Sequence, residues 1–148
     1  MEIAVLALGC FWGPEKKFSQ INGILKTEVG YCGGHNSTTT YKEVCSGNSG
    51  HAEVVKLEYD PSIISYNEII ETFFKIHDPT TLNSQGPDFG TQYRSEIFYH
   101  NEEQKKIAKE VLNQIDKQLN GKVVTKISEI KNYCKAEEYH QKYIEKNR

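Results

Sequence analysis

The chain has 148 residues, of which 37% are hydrophobic and 26% charged, and its formal net charge at pH 7 is -2. A chain of this length suits a single domain, residues 1–148, that buries its own core without a metal or disulfide. The small net charge and the mixing of acidic with basic residues exclude nucleic acid as the expected partner. No apolar run approaches 18 residues, and the N-terminal run is too short for a secretory signal, so we expect no membrane partner and a cytoplasmic location.

Four cysteines stand at positions 10, 32, 45 and 134. In a cytoplasmic protein we interpret them as reduced thiols, reactive or buried, rather than as disulfides. The chain has no Cys-x-x-Cys or His-x-x-x-His pair, and no Walker loop or dinucleotide fingerprint. We therefore expect neither a metal nor a cofactor.

The first predicted elements are a strand, a tight turn and a helix. The apolar run over residues 3–8 has strand length, and a glycine on each side of the next three residues frees the backbone to turn. Pro14 suits a first helical position because its missing N–H would have no partner there. Cys10 then lies at a helix N-terminus, where the dipole lowers a thiol pKa and favours a nucleophile. The alternative is a small buried side chain beside a core Phe11 and Trp12.

A second strand is predicted over residues 24–31, and a polar, Gly-rich loop over residues 33–50 follows it. Loops of this length inside a compact domain are usually functional or disordered. We favour a functional loop because Tyr41, Cys45 and His51 are spread along it with no evident core to join.

Residues 52–59 predict the most informative strand, since its alternation places Val55 and Leu57 on one face. Glu53 falls in the same apolar register. A carboxyl group on the buried side of a strand has a raised pKa and keeps its proton nearer neutral pH, which suits a general acid. The alternative is that Glu53 lies in water at the strand end or pairs with a lysine.

Later elements follow from capping and periodicity. Ser65 has the capping-box spacing that begins an amphipathic helix, and Asn101 is predicted to cap a longer one. Between them we predict a polar loop over residues 85–94 and a strand over residues 95–100. The last predictions are a strand over residues 123–128 and a short helix from about 136 to 143.

This order, βαββαβαβα, predicts an α+β fold with helices packed across a sheet. The core leaves three stretches unexplained: residues 9–13, 33–53 and 85–94. Together they carry a thiol, a carboxylic acid, tyrosine hydroxyls and an aromatic wall. Such a set suits attack by sulfur on a soft electrophilic centre that bears a polar oxygen and a small alkyl group, so thiol chemistry is the strongest lead.

Six segments occur in order along nearly the whole chain: GCFWG at 9–13, GYCGG at 30–34, TYKEVCSG at 40–47, GHAE at 50–53, GTQYRS at 90–95 and YHQKY at 139–143. They closely resemble the A-type peptide methionine sulfoxide reductases. The resemblance implies a two-layer, ferredoxin-like α/β sandwich with a mixed, mainly antiparallel sheet and long functional loops. It also implies reduction of the S epimer of methionine sulfoxide, free or in oxidised proteins, with thioredoxin or glutaredoxin as reductant and a monomeric enzyme.

The resemblance also assigns roles position by position. Cys10 is the nucleophile that attacks the sulfoxide sulfur, and Glu53 is the proton donor to its oxygen. The hydroxyls of Tyr41 and Tyr93 bind that oxygen, and Asp88 lies in the segment that lines the site. The implied substrate-binding residues, of which the first two form the methyl pocket, are Phe11, Trp12, Gly13 and His51.

Attack leaves a sulfenic acid on Cys10, which a second thiol converts to a disulfide. Many relatives carry recycling cysteines in a Gly-rich tail after the Tyr-His-Gln segment, whereas this sequence ends at Arg148. Cys134, where the family usually has an aromatic residue, is the first candidate for the resolving thiol, and Cys32 is the second. Direct attack on the Cys10 sulfenic acid by glutaredoxin or another external thiol ranks close behind these two. Cys45 matches a cysteine that many members carry without a recycling role.

A different class of function is a cysteine-based redox sensor or binding module that uses Cys10 only as an oxidisable switch. Such a protein would need no acid, no tyrosine hydroxyls and no methyl pocket. Replacement of Glu53 by glutamine therefore separates the two functions.

Overall fold

The structure is a computed structural model that describes residues 2–146; Met1, Asn147 and Arg148 lie outside the described residues. In chain order its elements are β1 (Glu2–Leu8), α1 (Trp12–Ser19), β2 (Ile24–Cys32), α2 (Tyr41–Cys45), β3 (Ala52–Tyr59), α3 (Tyr66–Lys75), β4 (Ser84–Gln85), β5 (Asp88–Phe89), a 3-10 turn (Thr91–Tyr93), β6 (Ser95–Tyr99), α4 (Glu102–Gln118), β7 (Lys126–Glu129), β8 (Cys134–Lys135), a second 3-10 turn (Glu138–His140) and α5 (Tyr143–Lys146). No helix in this part of the chain has the length and apolarity that crossing a membrane requires.

Six of the strands form one sheet in the order β7-β6-β1-β3-β2-β8. Strand β3 pairs antiparallel with β1 on one side and with β2 on the other, whereas β6 and β7 are parallel. The prediction of an α+β fold with a mixed, mainly antiparallel sheet is confirmed. Strands β4 and β5 form a separate hairpin.

The two faces of the sheet carry different layers because successive side chains of a strand alternate between faces. On one face, Leu6 and Val55 belong to the main core, to which the helices contribute Phe18 from α1, Phe73 from α3 and Val111 from α4. On the other face, smaller side chains such as Ala7 and Val54 pack beneath Ile130 and Tyr133. Glu53 shares the register of Val55 and therefore points to the helix layer.

Helix starts follow the predicted capping chemistry with one exception. Ser65 forms a full capping box with Glu68, and the Asn101 side chain accepts a hydrogen bond from the N–H of Gln104 at 2.9 Å. Helix α1, however, begins at Trp12, so Pro14 is its third residue rather than its first. This position is tolerated because the N–H groups of the whole first turn lack intrahelical partners.

Tertiary contacts change three of the predicted elements. The segment predicted as a loop over residues 85–94 holds most of the β4–β5 hairpin, which begins at Ser84, and a 3-10 turn. The predicted strand 123–128 starts later, at Lys126, because the N–H of Val124 is bound by the carbonyl of Pro79 at 2.8 Å. The predicted helix at 136–143 is wrong: this segment, which we call the C-terminal strap, holds a 3-10 turn and turns sharply at Lys142, whose φ is 51°.

Gln141 explains why the strap is not helical. Its side-chain oxygen accepts from the N–H of Val29 at 2.9 Å, and its amide donates to the carbonyls of Val29 at 2.9 Å and Ala136 at 3.0 Å. One side chain thus replaces a strand partner for the backbone of β2 where β8 has ended. Buried backbone groups need such partners.

We expect Gln141→Ala to lower the free energy of unfolding by about 2–3 kcal/mol, because it removes the side-chain partner of the Val29 N–H and of the Ala136 carbonyl. Urea denaturation followed by circular dichroism measures this change. Gln114→Ala, at an exposed position of α4, is the control and should shift stability by no more than about 0.5 kcal/mol. Equal effects of the two substitutions would contradict a structural role for the Gln141 amide.

Candidate active site

Glu53 lies in β3 directly opposite Tyr31 of β2, and its side chain is 1% exposed. Its Oε1 accepts a hydrogen bond from the N–H of Phe11 at 3.3 Å, whereas its Oε2 has no partner within residues 2–146. Burial raises its pKa to about 8; the Phe11 N–H opposes this shift and the charge of Asp88 adds to it. Glu53 therefore holds a proton at neutral pH and presents one unoccupied oxygen.

Cys10 lies in the turn between β1 and α1, next to the backbone group that binds Glu53. The turn passes tightly beneath the β4–β5 hairpin, since a Cβ built on Gly9, whose φ is +94°, would lie 2.7 Å from the Cβ of Gln85. Burial raises the pKa of the Cys10 thiol to about 11, with smaller increases from the charges of Glu53, Asp88 and Cys45. A hydrogen bond from the Trp12 N–H acts in the opposite direction.

The predicted lowering of the Cys10 pKa is therefore wrong. The helix start does supply an N–H donor to the sulfur, as the dipole argument requires, but the thiol is half-buried. Loss of hydration destabilises a thiolate more than one backbone donor stabilises it. Cys10 rests as a neutral thiol.

Two aromatic side chains stand beside this thiol. Phe11 is buried, with ring centroids 5.8 Å from Tyr31 and 5.3 Å from His140. The indole N–H of Trp12 donates to Nδ1 of His140 at 3.1 Å, and its ring stacks on Tyr143 at 3.8 Å. They form an apolar wall at the start of α1. A Cβ built on Gly13 would meet no atom within 4 Å, so the space beside that residue is open.

Two tyrosines come to the same place from different loops. Tyr41 opens α2, its N–H donates to Oε2 of Glu137 at 2.9 Å, and its ring lies 4.3 Å from that of His140. Tyr93 belongs to the first 3-10 turn. Burial raises the pKa of both phenols, to about 12 for Tyr93, and the charge of Glu53 adds to both shifts. Both groups are hydrogen-bond donors at neutral pH.

Asp88 lies in β5 opposite Gln85, on the hairpin that covers Gly9. Its charge is among those that raise the pKa values of Cys10, Glu53 and Tyr93. The hairpin thus brings a fourth acidic or phenolic group to the cluster of Glu53, Tyr41 and Tyr93.

The contacts of His51 are with other residues. It is buried, its Nε2 is 3.2 Å from the carbonyl of Asn132, and its N–H donates to Ser49 at 3.2 Å. A Cβ on Gly34 would come within 2.0 Å of its Nδ1, so the ring packs directly on that glycine. These contacts support the loop that follows β2 rather than the thiol.

The two candidate resolving cysteines point to opposite faces of the sheet. Cys32 is 0% exposed, belongs to the smaller core away from Glu53, and donates to the Lys131 carbonyl at 3.3 Å. Cys134 lies opposite Tyr31, which in turn lies opposite Glu53, so all three side chains share the helix face. Cys134 is half-buried, and all four cysteines are free.

Sequence reasoning missed the role of Glu137 and His140. Glu137 accepts from the hydroxyl of Tyr31 at 2.8 Å and from the N–H of Tyr41, and thereby joins the strap to strand β2 and to the start of α2. His140 is 1% exposed and binds the Trp12 indole. The YHQKY segment at residues 139–143 was the sequence signal for these contacts. The prediction of a helix there, however, gave no reason to expect that His140 binds Trp12.

The arrangement can be compared with known proteins. The sequence model of the family "Peptide methionine sulfoxide reductase" matches residues 2–148. A peptide methionine sulfoxide reductase MsrA of Pelagibacter ubique is 68% identical over 146 residues, which cover 99% of each chain. The crystal structure of Mxr1 from Saccharomyces cerevisiae in reduced form superposes with a TM-score of 0.95 at 42% identity and covers 99% of this chain and 85% of that one.

A second structure of the yeast protein, Mxr1 in complex with Trx2, superposes with a TM-score of 0.69 at 29% identity and covers 96% of this chain and 84% of Mxr1. The family match spans nearly the whole sequence, and the Pelagibacter relative has nearly the same length. This chain belongs to the peptide methionine sulfoxide reductase family.

Proposed function

We propose that this chain reduces the S epimer of methionine sulfoxide, free or in oxidised proteins, with Cys10 as nucleophile and Glu53 as general acid. One observation carries the assignment: a buried carboxylic acid with a pKa of about 8 keeps one oxygen unoccupied beside a half-buried thiol. The family match supports the reaction, and the whole of residues 1–148 acts as its domain.

The two raised pKa values are consistent with one proton path. A sulfoxide oxygen leaves sulfur only after it gains a proton, and neutral Glu53 supplies one. Cys10 attacks the substrate sulfur and forms an S–S bond, while its own proton passes to the Glu53 carboxylate. Glu53 then gives this proton to the substrate oxygen, whose bond to sulfur breaks as it leaves as water. A second water molecule attacks the Cys10 sulfur, breaks the S–S bond and returns a proton to Glu53. The substrate is reduced by two electrons to methionine, Cys10 is oxidised to a sulfenic acid, and Glu53 ends protonated as it began.

The surrounding side chains orient the substrate. Tyr41 and Tyr93 keep their hydroxyl protons and donate to the sulfoxide oxygen, while Asp88 lines the same side of the site. Phe11 and Trp12 hold the substrate methyl group, and Gly13 leaves room for it. We assign His51 a supporting place behind the loop, since its contacts lie with Gly34, Ser49 and Asn132.

Cys134 is the internal thiol that the geometry favours for recycling. It shares a face with Glu53, and β8 comprises only two residues at the edge of the sheet, so its displacement breaks few backbone bonds. The Cys134 thiol condenses with the Cys10 sulfenic acid, forms a disulfide and releases water. An external dithiol then reduces the disulfide. The complex of Mxr1 with Trx2 supports a thioredoxin in that role.

We place the reaction in the cytoplasm and in a monomer. Support for the cytoplasm comes from four cysteines that are all free in the structure, as expected in a reducing compartment.

Glutaredoxin is the alternative reductant when no internal disulfide forms. A sensor that uses Cys10 alone would not need a buried neutral acid at the same site.

Glu53→Gln should lower kcat/KM for methionine-S-sulfoxide by about 10²–10⁴-fold, because the amide cannot donate the proton. Dithiothreitol-coupled turnover measures the effect. Glu58→Gln, on the same strand but facing the other way, is the control and should leave turnover unchanged. Wild-type turnover in the Glu53 variant would show that Glu53 is not the general acid, whereas the redox sensor predicts no sulfoxide turnover in either protein.

The pH dependence follows from the same group. Glu53 must be protonated, and its pKa is about 8. The single-turnover rate constant at subsaturating sulfoxide should therefore be level below pH 7 and fall by about tenfold per pH unit above pH 8. Methionine release after rapid mixing measures this. A rate that rises from pH 8 to pH 10 would show instead that thiolate formation by Cys10 is limiting.

Mass spectrometry after one equivalent of sulfoxide tests the recycling thiol. We expect a Cys10–Cys134 disulfide in the wild type and a persistent Cys10 sulfenic acid in Cys134→Ser. Cys32→Ser is the matched control and should still form the disulfide. A wild-type sulfenic acid with no intrachain disulfide would remove both internal cysteines and leave the external thiol.

A further inference from the structure

Trp12 is held at both its edge and its face. Its indole N–H donates to Nδ1 of His140 at 3.1 Å, and its ring lies 3.8 Å from Tyr143 at an interplanar angle of 12°. The chain contains no other tryptophan. One hydrogen bond and one stacked ring therefore fix both rotations of the side chain that walls the methyl pocket.

His140 is itself immobilised. It is 1% exposed, and its ring centroid lies 4.3 Å from that of Tyr41 and 4.1 Å from that of Tyr139. An imidazole that accepts at Nδ1 is neutral and carries its proton on Nε2. Burial lowers its pKa, which maintains this form, although the charge of Glu137 acts in the opposite direction.

The backbone on each side of His140 is anchored to the same elements that carry the pocket. The next residue, Gln141, binds the backbone of β2. The N–H of Lys142 then donates at 2.7 Å to Glu15, a buried residue of α1, whose other oxygen accepts from Thr27 at 2.9 Å. Trp12 and its hydrogen-bond acceptor are thus tied to one rigid frame.

We propose that His140 is a positioning residue that fixes the Trp12 indole and thereby sets the size of the methyl pocket. This inference rests on the proposed role of Trp12. A pocket with an immobile wall rejects a substrate that is one methylene longer, and such discrimination is typically about 10–200-fold. A wall that is free to rotate accepts the longer group.

The test compares methionine-S-sulfoxide with its S-ethyl homologue, ethionine-S-sulfoxide, under dithiothreitol. We expect the wild type to prefer the methyl substrate by at least about tenfold, and His140→Ala to reduce that preference to about threefold or less. The loss should come mainly from a higher KM for the methyl substrate, since Cys10 and Glu53 are unchanged. His140→Asn places an amide oxygen near the position of Nδ1 and should restore most of the preference.

The single tryptophan supplies an independent readout. In a ¹⁵N spectrum its indole N–H gives one peak, which should move in His140→Ala and return toward the wild-type position in His140→Asn. His100→Ala, at an exposed histidine after β6, is the control and should move neither the peak nor the preference.

Folded His140→Ala with the wild-type indole peak and methyl preference would overturn the proposal. If His140→Ala does not fold, His140→Asn decides the question. A displaced indole peak together with the full methyl preference overturns the proposal. The wild-type peak position together with the full methyl preference supports it. Failure of the proposed function has a different signature, because the wild type would then reduce neither sulfoxide.

Discussion

The burial of Glu53 as a neutral acid is the constraint on which the rest of the site depends. A carboxyl group at the helix-facing side of a central strand loses its hydration, and this loss raises its pKa to about 8. The N–H of Phe11 binds one oxygen, and within residues 2–146 the other has no partner. An unpaired buried oxygen is costly, so its retention is explained if a substrate group occupies the place.

The same burial accounts for the state of Cys10. A thiolate beside Asp88 in a half-dehydrated turn is unstable, and the thiol pKa rises to about 11. A resting thiol and a resting carboxylic acid are electrically neutral together, which limits repulsion in a crowded pocket. In the proposed mechanism, reactivity depends on a proton shift that occurs only when a sulfoxide oxygen is present to receive it, as expected for a group that acts in the transition state.

The C-terminal strap shows how distant residues complete the pocket. Gln141 replaces a missing strand partner of β2, Glu137 bridges Tyr31 and Tyr41, and His140 binds Trp12. Each bond joins positions roughly a hundred residues apart in sequence. The strap gains its irregular backbone from these contacts, since regular helical bonds would compete with them.

From the sequence alone, alternation and capping patterns determined the strands around Glu53, the helices that begin after Ser65 and Asn101, and the register that buries the acid. These features depend on neighbours a few residues away. The pKa of Cys10, the contacts of His51 and the path of residues 136–143 were decided only by tertiary structure. Hydration, ring packing and the partners of Gln141 and His140 depend on segments that local periodicity cannot bring together.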